Sequence, residues 1–64
     1  MNKEEASVLL DQLKSGELAE IVIEKENFDL FRSVLLSRED FKHFRGIARH
    51  HGKTVYQYQE EARS

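Results

Sequence analysis

The sequence predicts a small α+β domain, and two kinds of hydrophobic spacing lead to this prediction. Apolar side chains recur every three or four residues in several segments, as they do on one face of a helix. Two other segments alternate apolar and polar residues or are rich in β-branched and aromatic residues, as strands are. The expected order over residues 1–64 is helix, strand, helix, helix, strand, with a two-stranded sheet covered by helices in a single domain.

The first helix is expected to begin after Asn2 and to end at Gly16. Asn2 can cap the helix while Glu5, at the third helical position, points back to it. Gly16 can adopt the left-handed conformation that often ends a helix. The apolar stripe of this helix consists of Ala6, Leu9, Leu10 and Leu13. A strand with alternating burial is predicted over roughly residues 18–25.

The segment NFDLFRSVLLS, residues 27–37, fits either a helix or a strand. As a helix capped by Asn27, it gathers apolar side chains on one side; as a strand, it places Arg32 in the middle of an apolar face. We favour a helix over 27–36, because β-branched residues are few and no Asn-Gly or Asp-Gly hairpin turn is present. The apolar side of that helix would hold Phe28, Phe31, Val34 and Leu35.

A third helix is predicted over residues 38–51, with Ser37 as its cap and Gly52 at its end. The Ser37 hydroxyl could accept a hydrogen bond from the backbone of Asp40, and Gly52 could end the last turn. Phe41, Phe44, Ile47 and Ala48 would face inward. The segment KTVYQYQ then predicts a strand. Residues 60–64 are expected to be a frayed tail.

Cations recur at steps of four, three and four residues along the predicted helix 38–51. At 100° per residue they would occupy an arc of about 60° on one helix face. Together with Lys53, this basic face is the candidate nucleic-acid contact; alternatively, it is a solvated face or a protein contact. The candidate residues are Arg38, Lys42, Arg45, Arg49 and Lys53.

The predicted element order is similar to that of a winged helix-turn-helix domain lacking its last strand. In that resemblance residues 27–36 would be the first helix of the pair, and residues 38–51 the recognition helix. The resemblance implies DNA binding through the basic face. The net charge of −2 argues against general nucleic-acid affinity, although residues 1–31 carry three cations and eight anions and residues 32–53 carry six cations and two anions.

Tyr56 and Tyr58 are predicted to share one face of the last strand. They could belong to the core or form a small aromatic surface for a protein partner. A two-stranded sheet is barely stable alone and leaves open edges, which favours pairing with a partner or a second copy.

Composition predicts a non-enzymatic cytoplasmic protein. The chain has no cysteine, and no run of about 20 apolar residues that could span a membrane. His43 and His50 are seven residues apart, about 10.5 Å along a helix, too far to share one metal ion. No phosphate-binding loop or catalytic pair is evident, so no metal, cofactor or small-molecule substrate is expected.

We therefore interpret the sequence as a small binding or regulatory module that acts through a protein-protein surface, with self-association as one form of this. Nucleic-acid binding through the basic face is the alternative. The identity of the partner does not follow from the sequence.

Overall fold

The computed structural model describes residues 1–61, over which the chain forms two α-helices and three strands. This confirms the predicted α+β class. The elements are α1 (Lys3–Ser15), β1 (Ile21–Ile23), α2 (Lys25–Leu36), β2 (Phe44–Ala48) and β3 (Thr54–Tyr58), with short 3-10 turns at Phe41–His43 and His50–Gly52. The tail predicted at 60–64 lies mostly outside the described residues.

The three strands form one antiparallel sheet in the order β1-β3-β2. The last strand in sequence is therefore the central one. The register places Val55 of β3 opposite Val22 of β1 on one side and opposite Ile47 of β2 on the other. The prediction of two strands was wrong in number, because β2 was assigned to a helix.

Helix α1 has the predicted ends. The backbone N–H of Glu5 donates to Asn2 Oδ1 over 2.8 Å, and Gly16 has a φ of 84°, in the left-handed region that glycine adopts without strain. Its buried residues are Ala6, Leu10 and Leu13, and Leu9 packs against them. The predicted apolar stripe is thus the core face of this helix. The strand that follows covers only three of the residues predicted at 18–25.

Helix α2 confirms the helical interpretation of residues 27–36 but begins two residues earlier, at Lys25. The capping residue is Glu24 rather than Asn27, and its side chain makes no capping hydrogen bond. Phe31 and Leu35 are the buried residues of α2. Ser37, predicted to start another helix, instead follows the end of α2 and donates from its hydroxyl to the carbonyl of Val34 over 2.6 Å.

The predicted helix over 38–51 is wrong: this segment forms a 3-10 turn at Phe41–His43 followed by strand β2. Its apolar residues have the spacing of a helix face. However, a buried Phe44 followed by an exposed Arg45 is also compatible with a strand, in which side chains alternate between inward and outward positions. Each residue of β2 pairs with one of β3, and this long-range pairing outweighs local helix preference. Without this helix there is no recognition helix, so the winged-helix order is not present in the described residues.

Both helices pack on one side of the sheet and enclose a single core. The fully buried side chains with the largest volume are Phe31, Phe44, Leu10 and Ile23. Ile47 was expected to face inward, but it points to the other side of the sheet together with its partner Val55, because strand side chains alternate. Among the described residues no helix combines the length and apolar character needed to cross a membrane.

Candidate functional site

The side of the sheet away from the helices is covered by no described helix and is called the open face here. Strand alternation and register place nine side chains on it, in three rows across the sheet. Four of these residues lie one position beyond the end of a strand: Glu20, Glu24, Arg49 and Lys53. The first row contains Glu20, Gln57 and Arg45; the middle row contains Val22, Val55 and Ile47; the last row contains Glu24, Lys53 and Arg49.

The middle row of the open face is apolar. Val22 is 52% exposed, and Ile47 is half-buried. Val55 is buried, because it lies on the central strand between these two neighbours, yet it does not belong to the core cluster. Three aliphatic side chains in one line across the sheet therefore face outward, and nothing in the described residues covers Val22.

The charged residues of the open face are separated by sign. Glu20 and Glu24 flank the row on the β1 side, and Arg45 and Arg49 flank it on the β2 side. Gln57 and Lys53, which lie near the two ends of β3, both contact the acidic residues. Gln57 Nε2 donates to Glu20 Oε2 over 3.1 Å, and Lys53 Nζ lies 3.8 Å from Glu24 Oε1. These polar contacts support the assignment of Glu20 and Glu24 to the same face as Val22.

The five predicted basic residues are not on one helix face. Arg45 lies on β2, and Arg49 and Lys53 lie in the turn that connects β2 with β3, where the Arg49 N–H donates to the Lys53 carbonyl over 2.8 Å. Lys42 is exposed in the 3-10 turn. Arg38 lies elsewhere and is mostly buried. The structure therefore brings together three of the five, on the open face.

Arg38 holds the segment after α2 against α1 and is engaged by protein groups. Its Nε donates to Asp40 Oδ1 over 2.9 Å, its Nη1 lies 2.9 Å from Asp11 Oδ1, and its guanidinium lies over the Phe44 ring at 5.7 Å. The hydrogen bond from Arg38 is the main cause that lowers the pKa of Asp40 below its usual value. The same bond raises the pKa of Arg38. This arrangement, the Arg38 clamp, is structural.

The two tyrosines differ in their surroundings. Tyr56 is 5% exposed and packs against Phe31, with ring centroids 4.8 Å apart, so it belongs to the core. Its burial raises its pKa, while Arg32 acts in the opposite direction. Tyr58 is half-buried, stacks on His43 at 5.4 Å and meets the Phe44 ring edge-on at 5.1 Å. An aromatic surface made of both rings is thus not formed.

Two histidines, His43 and His51, have local structural roles in the described residues. His43 Nδ1 lies 2.9 Å from the carbonyl of Gln59, to which it donates in one tautomer. His51 has a φ of 64° in the tight turn before β3. In residues 1–61 no three histidine or carboxylate side chains are arranged to hold a metal ion.

A shallow cleft of about 740 Å³ lies where the start of α2 meets the β2–β3 turn. Lys25, Arg49 and His51 are among its lining residues, as is Asp29. The Lys25 side chain lies against Gly52, where an added Cβ would come within 3.0 Å of it. The cleft shows mixed charge and no converging set of polar groups, so the open face is the better candidate site.

Six of the nine open-face residues were not predicted as site residues, and Val22 and Ile47 are the most informative of them. Val22 had a usable signal, since it stands between Glu20 and Glu24 in the polar half of an alternating strand. Ile47 had none, because its spacing from Phe44 fits a helix. Register across the sheet is what joins these two distant residues into one surface.

Comparison with protein families finds a match to the family described as YkzS-like protein over residues 3–57. These residues include all described helices and strands except Tyr58, the last residue of β3. The comparisons with curated proteins and with solved structures found no match.

Proposed function

We propose that this chain, which belongs to the YkzS-like protein family, is a small protein-binding or regulatory module that acts through the open face. The observation that carries this proposal is the outward-facing aliphatic row of Val22, Val55 and Ile47, in which Val22 is exposed, between charges of opposite sign. An apolar centre with a polar rim is the common organisation of a protein-protein interface. The proposal includes no chemical reaction and no cofactor.

The shape of the surface favours a protein over a small molecule. The open face is a sheet surface rather than a cavity, whereas small molecules bind mostly in concave sites that bury most of their area. A folded partner or an extended segment can match a flat surface with aliphatic and charged side chains. The absence of cysteine from the sequence suits a reducing cytoplasm, where we place this function.

The distribution of charge favours a protein over nucleic acid. Arg45, Arg49 and Lys53 share the open face with Glu20 and Glu24, which repel phosphates. Arg38, the first cation of the predicted basic face, is bound by Asp11 and Asp40. A surface with both signs suits a partner that also carries both signs.

Site-specific photocrosslinking in the producing cell tests the proposal. A photoreactive amino acid replaces Val22 in one variant and Val8 in a control. The two valines are matched in exposure, at 52% and 54%, but Val8 lies on α1, on the helical side of the molecule. We expect discrete crosslinked protein products from position 22 that are absent from position 8. Equal or absent crosslinking at the two positions would contradict the proposal.

A further inference from the structure

We propose that the open face binds a second copy of this chain, face to face, with a two-fold axis parallel to β3. This inference rests on the proposed function and names its partner. The reason is that the acidic side of the open face is complementary to its own basic side, so that one surface contains both halves of the contact.

The direction of the two-fold axis follows from the arrangement of charges. An axis parallel to β3 places β1 of one copy over β2 of the other, so Glu20 and Glu24 of one copy face Arg45 and Arg49 of the other. Val55 then meets Val55 near the axis, and Val22 meets Ile47. An axis across the strands would instead place like charges over like charges, which costs free energy. Lys53 of one copy then lies near Lys53 of the other, and each keeps its contact with Glu24 of its own copy, 3.8 Å away. Of the two axes, only the first places the acidic side over the basic side and apolar residues over apolar residues.

The free edge of β2 is a second possible contact between copies, and its charges disfavour it. The Arg49 N–H donates to the Lys53 carbonyl and the Gln59 N–H donates to the His43 carbonyl, both over 2.8 Å. His43 and Arg49, which flank β2, therefore direct backbone groups toward β3. Alternation then leaves Gly46 and Ala48 with backbone groups directed outward. Pairing two such edges would bring Arg45 and Arg49 of both copies together, and cations on edge strands oppose such pairing.

The size of the open face indicates a weak dimer. Three strands about 4.8 Å apart and five residues at about 3.3 Å give a planar footprint on the order of 200–250 Å². Stable interfaces bury about 800 Å² of each partner. We therefore expect a dissociation constant on the order of 0.1–1 mM at low salt, in the range of transient complexes.

Nuclear magnetic resonance of the whole chain at increasing concentration tests this directly. We expect concentration-dependent shifts of the amide signals of Val22, Val55 and Ile47, with slower translational diffusion, while the signal of Val8 stays in place. Diffusion and shifts that do not change up to millimolar concentration at low salt would overturn the inference.

Charge reversal tests the complementarity. In Arg45→Glu/Arg49→Glu, both sides of the open face become acidic, and we expect the dimer to weaken at least about tenfold. The control Lys3→Glu/Arg32→Glu changes the net charge equally but on the helices, and should dimerise like the wild type apart from a common effect of net charge. Equal weakening in both variants would show that the charges of the open face do not form the contact. Circular dichroism checks that both variants are folded.

A complete exchange of charges tests the axis. The variant Glu20→Lys/Glu24→Lys/Arg45→Glu/Arg49→Glu should again pair with itself but not with the wild type. An axis across the strands predicts the opposite, pairing with the wild type and none with itself, and would overturn the proposed arrangement. If this variant fails to fold, a mixture of Glu20→Lys/Glu24→Lys with Arg45→Glu/Arg49→Glu still tests the contact, since the two should form a mixed dimer that neither forms alone.

These experiments separate the two proposals. A monomer whose position 22 crosslinks to a different protein would overturn the second-copy inference and leave the proposed function standing. A dimer formed through another surface, with no crosslinks specific to position 22, would overturn both.

Discussion

The two faces of the sheet are built from the same three strands, but they differ in what covers them. On the helical side, Phe44 and Tyr56 lie under α1 and α2 within a closed core. On the open face, Ile47 and Val55 alternate with them along the same strands, and charged residues rather than helices surround them. Neighbouring residues of one strand thus have different surroundings: one side belongs to the core, and the other forms the face that we propose as a binding surface.

The largest expected effect of a single substitution comes from the covered side. Phe44→Ala removes a ring that is 1% exposed and should reduce the free energy of unfolding by about 3–5 kcal/mol, because it leaves a cavity against Tyr58 and the Arg38 guanidinium. So small a domain has little stability to spare. Urea denaturation followed by circular dichroism measures the change.

The matched control for this substitution is Ile47→Ala, on the same strand but on the open face. Its side chain is only half-buried, so the expected loss is about 1 kcal/mol at concentrations where the chain is monomeric. Similar losses in the two variants would show that the open face is part of the core, and the comparison between the faces would fail.

The Arg38 clamp gives the next largest effect and a dependence on pH. Because Arg38 lowers the pKa of Asp40 in the folded chain, the ionised carboxylate stabilises the fold above the ordinary pKa of 3.8, and this stabilisation is lost as the pH falls through the lowered value. Asp40→Asn should reduce stability by about 1–3 kcal/mol at neutral pH. Urea midpoints between neutral pH and pH of about 2 should then fall less steeply in this variant than in the wild type.

The control for the clamp is Asp29→Asn, which changes an exposed aspartate of α2 in the same way. It should retain the acid sensitivity of the wild type. A wild-type midpoint that stays constant down to the lowest pH would mean that the clamp contributes nothing to stability, and that the covered side is held by apolar packing alone.

The smallest expected effect concerns nucleic acid. The wild type should show no measurable binding to a generic DNA duplex in fluorescence anisotropy, even at low salt, because acidic residues share the open face with its cations. Arg45→Glu/Arg49→Glu should then look identical in this assay. Tight binding that weakens steeply with salt, and that this variant loses, would instead make the open face a phosphate-binding surface.

The parts of the fold that could be predicted from the sequence are those with local causes. The ends of α1 follow from an Asn2 side chain within reach of the Glu5 N–H and from the freedom of Gly16, both of which are visible in the sequence. The helical nature of α2 and the position of β3 also follow from spacing and residue type. The conformation of each of these elements is determined mainly by residues within its own short segment.

Residues 38–51 could not be predicted in this way, because their conformation depends on distant partners. Asp40 was expected to complete a helix cap, but it binds Arg38, which in turn reaches Asp11 on α1. Phe44–Ala48 become a strand by pairing with β3, beyond an intervening turn. The basic candidate site was placed on a helix because this long-range strand pairing is not visible in the local sequence. The residues of the open face could be identified only from the register of the three strands.

The position of β3 in the middle of the sheet has a consequence for the synthesis of the protein. A growing chain that has reached Lys53 contains β1 and β2, but these strands are not neighbours in the sheet and cannot pair in their final register. Until Thr54–Tyr58 has left the ribosome, the core residues of α1 and α2 have no sheet to pack on. Helices α1 and α2 therefore cannot complete their core on the sheet until this one segment, which joins both edge strands, has been synthesised.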